Sequence, residues 1–293
     1  MKTLGTLCAA GAVVGTIAGG ALLSGQTTPP QPRKESGASV TGAFEGWFYG
    51  DDGSRSFLVG YYNRNSQQEL DIPIGPNNRI EPGGPDMGQP THFLPGRQWG
   101  MFVVPAPKDF KPQDSYIWTI VANGQSTAIP LRLNVDYVMS PFKEIAVGNT
   151  PPIIKFEPTG KGNQGPIATL ATAPARPASV AAPLPLQLWA ADDMKYTSGT
   201  GAPMTTPRPP VTLRWSKYRG PGKVTFDKPR PEVEKMQGEG DAAPFAGKAT
   251  ATATFSEAGD YVLHVSANDY SGDGGGGFGC CWTTALLKVA VKP

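Results

Sequence analysis

Hydrophobic and polar positions alternate with a period of two in short runs from about residue 40 to the C-terminus, and clusters of Gly, Pro, Asn and Asp separate the runs. Successive side chains of a strand point to opposite faces, so this pattern predicts strands joined by turns. Residues 44–49 and 57–63 flank Asp51-Asp52-Gly53-Ser54, where Asp-Gly supplies the positive φ that a tight hairpin needs. Residues 116–122 and 126–133 flank Asn123-Gly124 and predict a second hairpin. In Tyr116-Ile117-Trp118-Thr119-Ile120-Val121 the alternation is imperfect, which predicts a strand covered on both faces for part of its length. A further strand is predicted over 97–104, with Trp99 and Met101 on one side and Gly100 and Phe102 on the other. The stretch 75–96 is dense in Pro, Gly and Asn and reads as a long ordered loop or loop pair.

In the second half, Thr150-Pro151-Pro152-Ile153-Ile154 opens a new unit, because Pro-Pro sets an extended entry and disfavours helix before it. Strands are predicted over 184–190, 211–217, 223–227, 249–255, 261–268 and 285–291. From Tyr261 to Ala267 the alternation is strict, and it places Tyr261, Leu263, Val265 and Ala267 on one inward face. The fold class predicted is all-β, with two β-sandwich domains over 40–140 and 149–293 and a connector over 141–148.

The order Leu188-Trp189-Ala190-Ala191-Asp192-Asp193, Leu213-Arg214-Trp215-Ser216-Lys217, Gly220-Pro221-Gly222-Lys223-Val224-Thr225-Phe226 and Glu257-Ala258-Gly259-Asp260-Tyr261-Val262-Leu263 resembles the polycystic kidney disease (PKD) type of immunoglobulin-like domain of bacterial secreted proteins. The resemblance covers about 149–292 and implies a seven-strand sandwich with Trp215 in the core and Tyr261 at the corner of a late strand. Residues 158–183 and 197–210 read as insertions in that pattern. Residues 40–140 show only a general likeness to uncharacterised exported bacterial proteins.

Composition agrees with strands. Gly and Pro together make 68 of 293 residues, about 23% against roughly 12% in average usage. Both are poor in helix interiors. The formal net charge is +2 with no Lys/Arg block, which removes the electrostatic footprint of a nucleic-acid binder. Residues 1–25 have the layout of a secretory signal: Lys2, an uncharged segment to Leu23, then small residues for a cut between 20 and 26. An uncleaved anchor is the alternative, since the uncharged stretch approaches the ~20 residues that span a bilayer. Cleavage leaves no membrane span in the mature chain, a Pro-rich tether over 26–39, and two cysteines for an exported localisation: periplasm, cell surface or outside the cell.

Those cysteines, Cys280 and Cys281, are neighbours. Adjacent Cα atoms sit about 3.8 Å apart across a trans peptide, below the ~4.4 Å lower end for ordinary disulfides. Three states stay open: a vicinal bridge stiffening a binding loop or sensing redox state, thiols that stay free or tie chains together, or a soft-metal site, for which two thiolates are too few ligands. Asp192, Asp193, Asp269 and Asp273, with Asn149 and Asn268, fall at one end of an immunoglobulin-like sandwich. They are candidate oxygen ligands for Ca²⁺; the alternative is that each caps a turn. No cofactor is required by anything else in the chain.

Trp47, Tyr49, Tyr61, Tyr62 and Trp99 are candidates to stack on a sugar ring, although a sandwich of this size takes most of its aromatics for core. Glu45, Asp51, Glu69 and Asp71 fall in one region and are what a carboxylate-dependent hydrolase would use. His264 alternates outward from its strand and His92 sits in a Pro-flanked loop, so both read as surface or satisfied structural residues. Gly160-Lys161-Gly162-Asn163-Gln164-Gly165 lacks the strand-then-helix context of a dinucleotide site. The functional expectation is a non-enzymatic exported binding or structural interaction module at the cell envelope, with an extracellular protein or a polysaccharide as partner and no nucleic acid. A carbohydrate-binding accessory protein is the alternative.

Overall fold

The computed structural model of the chain describes residues 34–144, 148–195, 209–236, 244–269 and 280–293. The segment expected to be a signal, most of the expected tether and Asp273 lie outside the described residues. From residue 33 onward the chain is one compact unit.

The first half is built from β1 (Val40–Tyr49), β2 (Arg55–Asn63), β3 (Leu70–Asp71), β4 (Asn78–Glu81), β5 (His92–Phe93), β6 (Gly96–Ala106), β7 (Tyr116–Ala122) and β8 (Gln125–Leu131). Antiparallel β1-β2-β6 faces antiparallel β4-β7-β8, and β3 and β5 form a short ribbon. Phe57, Val59, Tyr61 and Phe102 meet Ile80, Trp118, Ile120 and Leu131 in the core between them. Both expected hairpins form. Gly53 has φ 76° in the first turn, and Asn123 (φ 49°) and Gly124 (φ 73°) form the second.

Three local expectations are corrected. In β7 burial alternates strictly, with Tyr116, Trp118, Ile120 and Ala122 inward. The strand covered on both faces is β2, whose residues 57–61 are all buried, because Leu58 on its outer face packs against Phe48 and Trp282. In β6 the expected alternation fails at a register shift opposite Gly60, where Gly100 takes φ 49° and leaves Trp99 exposed but Met101 buried. Gly60 is required there, since a Cβ would come within 2.3 Å of the Gln98 carbonyl oxygen. The expected loop over 75–96 contains β4 and β5. Asn78 holds it down: its Nδ2 donates to the carbonyls of Ile72 (2.9 Å) and Pro90 (2.8 Å), and its Oδ1 accepts from Trp118 Nε1 (3.0 Å).

The second half contains β9 (Ile153–Lys155), β10 (Asn163–Gln164), β11 (Ala175–Ser179), β12 (Leu184–Asp192), β13 (Thr212–Arg219), β14 (Val224–Phe226), β15 (Glu234–Lys235), β16 (Phe245–Phe255), β17 (Gly259–Asn268) and β18 (Trp282–Lys292). One sheet runs β10-β9-β12-β16-β14 with β15 also on β16, and the other β11-β18-β17-β13. This is the strand order of an immunoglobulin-type sandwich. The presumed insertion over 158–183 holds an edge strand: β11 lies parallel to β18, where Pro177 costs no interior ladder bond. Trp215 fills the core beside Phe156 and Phe226. Tyr261 makes the corner: its hydroxyl donates to the Glu257 carbonyl (2.9 Å) and accepts from Gly222 N–H (3.0 Å). Tyr261→Phe removes both bonds while keeping the ring. It is expected to cost about 1–3 kcal/mol, read as a lower urea midpoint at unchanged slope.

The two sandwiches share a seam. A register shift after Lys217 turns Tyr218 away from its own sandwich, and Tyr218 enters the first core together with Leu286 and Ala168. Its hydroxyl donates to Gly88 O (2.5 Å) and its carbonyl accepts from Thr91 N–H (3.1 Å). Arg219 grips Asp86 with both terminal nitrogens (2.9 and 2.8 Å). Buried Lys217 Nζ reaches Asp71 Oδ1 (2.9 Å), which also meets His92 Nδ1 (2.9 Å). Of the two alternatives the sequence left open, surface or satisfied structural residue, His92 takes the second, while His264 is corrected, being neither on the surface nor fully satisfied. His264 does point out of its own sandwich, but it is buried at the seam, stacked 6.0 Å from the Tyr218 ring. His92 is buried as well and paired with Asp71. Among the described residues no helix is long and apolar enough to cross a membrane.

Candidate functional site

The end of the second sandwich gathers most of the polar residues singled out in the sequence. β12 ends on Asp192, β17 runs into Asp269, the chain enters at Asn149, and Cys280-Cys281 lead into β18. Four segments therefore converge because the sandwich topology brings two strand ends and the chain entry to one side.

Asn149 is the hub. It is fully buried, and its Nδ2 donates to Asp269 Oδ2 at 2.6 Å while its own Oδ1 has no hydrogen-bond partner. Cys280 and Cys281 form a vicinal disulfide, both buried. Their sulfurs sit 3.9 and 3.4 Å from the Asn149 carbonyl oxygen. A disulfide carries no S–H, so these are packing contacts that seat the bridge on the entering chain. Thr283 extends the same tie by donating to the Pro152 carbonyl and accepting from Gly165 N–H.

The carboxylates divide between capping and exposure to each other. Asp193 Oδ2 accepts from Thr150 N–H (3.1 Å) and hydroxyl (2.9 Å), and its Oδ1 accepts from Lys195 N–H (3.1 Å). Asp192 Oδ1 accepts from Met194 N–H (2.7 Å), holding Met194 at φ 53°, but Oδ2 is buried without a partner. Burial, reinforced by the charges of Asp269 and Asp193, pushes the Asp192 carboxyl up to about 7 against the pull of the Met194 N–H. Turn capping thus accounts for Asp193 and half of Asp192. Among the described residues no group of three or more His, Cys, Asp or Glu side chains is placed to hold a metal ion. A hollow of about 500 Å³ opens beside this end, lined by Thr150, Lys155, Gln164, Asp192 and Asp193.

The remaining candidates are dispersed. Glu45 is buried under β6, where its Oε1 accepts from Arg97 Nη2 (3.0 Å) and Gly100 N–H (2.8 Å). Burial raises its carboxyl above the ordinary value despite Arg97. Asp71 is held by His92 and Lys217, Glu69 lies 3.3 Å from His92 Nε2, and Asp51 is exposed in the first hairpin. Trp47 and Tyr61 are core, Tyr62 lies under Arg64, and Tyr49 and Trp99 are exposed. Trp47 and Tyr49 meet edge to face at 65°, so they make no coplanar platform. Sequence reading did not reach Thr150 and Thr283, whose partners are set by the fold; the Thr-Pro-Pro entry was the one local signal.

No family model matches the chain, and no curated protein matches it. Among solved structures it is similar to the crystal structure of a protein of unknown function from Porphyromonas gingivalis W83, at 8% identity over 86% of this chain and 100% of that one, with a TM-score of 0.22.

Proposed function

We propose that the chain is a non-enzymatic exported module that binds or scaffolds at the cell envelope, with an extracellular protein or polysaccharide as partner. The observation that supports it is the buried vicinal disulfide seated on Asn149. Disulfides persist in oxidising compartments and are rare in the cytosol. The bridge stiffens the start of the last strand and packs against the chain entry at Asn149, and a pre-organised surface loses less entropy on binding. Ca²⁺ remains an expectation for this end, with Asp192, Asp193 and Asp269 as its described oxygen donors.

The mature chain, residues 26–293, is expected to show no reactive thiol before reduction and two after reduction under denaturing conditions. It is expected to sediment with insoluble envelope polysaccharide, with at least tenfold less retained for the Cys280→Ser/Cys281→Ser double variant. Two freely reactive thiols in the folded chain, or turnover of a glycosidic substrate, overturn the proposal. The carbohydrate-binding reading is favoured by one further observation, the exposed Trp99 at the seam between the sandwiches.

A further inference from the structure

Beside the seam lies a cleft of about 330 Å³ between the two sandwiches. Its walls carry Arg97 and Trp99 from β6, Arg214 from β13, Arg230 from the segment after β14, His264 from β17 and Trp282 from β18. Among the described residues no Asp or Glu lines it. Arg97 is paired with Glu45, but Arg214 and Arg230 have no acidic partner among the described residues, where Arg214 makes one hydrogen bond, to the Gln98 side-chain oxygen at 3.5 Å. Two guanidinium groups facing a shared hollow without a counter-ion repel each other and favour a bound anion.

Two further polar groups of the same wall are unsatisfied. Trp282 Nε1 and His264 Nε2 are both buried and lack any hydrogen-bond partner. An indole N–H only donates, and leaving such a group unpaired costs on the order of 1–3 kcal/mol. Both residues belong to the cleft wall, with the Trp282 indole packed against Gly100, so the wall behind the arginines is buried and, among the described residues, carries no competing carboxylate for them. Trp99 adds a ring at the rim: it is 37% exposed, and the Arg97 guanidinium lies 3.8 Å from the ring centroid. An aromatic face beside convergent donors suits a sugar ring that carries a negative charge, and the hollow is at the small end of ligand sites, room for one or two sugar residues.

We propose that the inter-sandwich cleft binds an acidic saccharide, its anionic group between Arg214 and Arg230 and its ring against Trp99. The proposal deepens the reading of the chain as a binding module and rests on it. The anion can be a carboxylate or a sulfate ester, which share the same recognition by guanidinium.

Titration calorimetry of the mature chain with tetragalacturonate, its methyl ester, a sulfated oligosaccharide and polyglutamate tests this. One or both anionic saccharides are expected to bind, more weakly as salt rises, with their relative affinity identifying the anion, while the methyl ester does not. Arg230→Gln and Trp99→Ala are expected to raise Kd at least tenfold, and Asp192→Asn to leave it unchanged. Arg230 and Trp99 are exposed, so these variants keep the fold; Arg214→Gln is a third arm. No binding of either anionic saccharide, equal binding of the methyl ester, or polyglutamate binding that Trp99→Ala leaves intact overturns the cleft as a saccharide site. If the chain still sediments with envelope polysaccharide and Arg230→Gln does not weaken it, the cleft assignment falls and the binding-module reading stands. Loss of both retires both.

Discussion

Replacing Tyr218 by Ala is expected to destabilise the protein by about 3–5 kcal/mol and to split one calorimetric transition into two. Tyr218 belongs by strand to the second sandwich and by packing to the first: its ring is fully buried in the first core beside Leu286 and Ala168. Truncation leaves a cavity there, removes the hydrogen bond to Gly88 O, and unstacks His264. The polar contacts beside it, Arg219 to Asp86 and Lys217 to Asp71, are partly exposed on the carboxylate side and contribute less. The apolar plug is therefore what makes the sandwiches one cooperative unit. Tyr218→Phe keeps the plug and loses only the hydroxyl bond, so it is expected to cost about 1 kcal/mol with a single transition retained. A single sharp transition in Tyr218→Ala, shifted as a whole, would show that the remaining contacts suffice to couple the halves.

What the sequence made legible, and what it did not, follows from how local each cause is. Asp-Gly and Asn-Gly turns were readable because a positive φ is a property of the residues themselves. β17 was readable because one buried face imposes strict alternation, and Trp215 and Tyr261 occupy the places that the immunoglobulin-like resemblance implied. β4 was not readable: Asn-Arg-Ile-Glu holds one apolar residue, and it becomes a strand because β7 offers it a ladder and Asn78 bonds two distant carbonyls. β11 was hidden by proline content that only an edge position tolerates.

The candidate sites divide in the same way. Adjacent cysteines and clustered aspartates are visible in any listing of the residues, and the sandwich topology does bring Asp192, Asp193, Asp269 and the Cys280–Cys281 bridge to one end. Their partners, Asn149 and Thr150, lie more than 40 positions away in sequence from the groups they satisfy. The arginine cleft left no mark at all. Arg97, Arg214 and Arg230 come from three segments, and what distinguishes two of them is that no described residue supplies a counter-ion, which appears only when the surroundings are assembled. His264 shows the same limit from the other side, since outward from one sandwich proved to be inward against the other.

Asp192 and His264 give the second large effect, because their titrations act on stability in opposite directions. Burial holds the Asp192 carboxyl at about 7, against an ordinary 3.8. Between those values the folded chain holds a proton that the unfolded chain has released, so Asp192 favours folding below pH 4 and progressively opposes it as pH rises to 7. His264 is buried and lies near Arg214, and its imidazole is pushed down to about 3 from 6.5. Here the unfolded chain takes the proton first, so stability is lost as pH falls from 6.5 towards 3. The intervals span a little over three pH units, and at ~1.4 kcal/mol per unit each effect reaches at most about 4–5 kcal/mol. In the wild type the contributions of Asp192 and His264 largely cancel each other between pH 4 and 6.5. Asp192→Asn keeps an acceptor for Met194 N–H and removes the charge. It is expected to match the wild type at pH 4, to exceed it by a few kcal/mol at pH 8, and to expose the histidine's acid-side loss. His264→Gln carries a constant packing cost, but its stability relative to the wild type is expected to rise as pH falls from 6.5. Glu45, also raised by burial, is common to all three chains and drops out of the differences. Urea melts of the three chains at pH 4, 6 and 8 separate the effects, and a pH-independent difference between Asp192→Asn and wild type removes the buried charge from the account of this end of the sandwich.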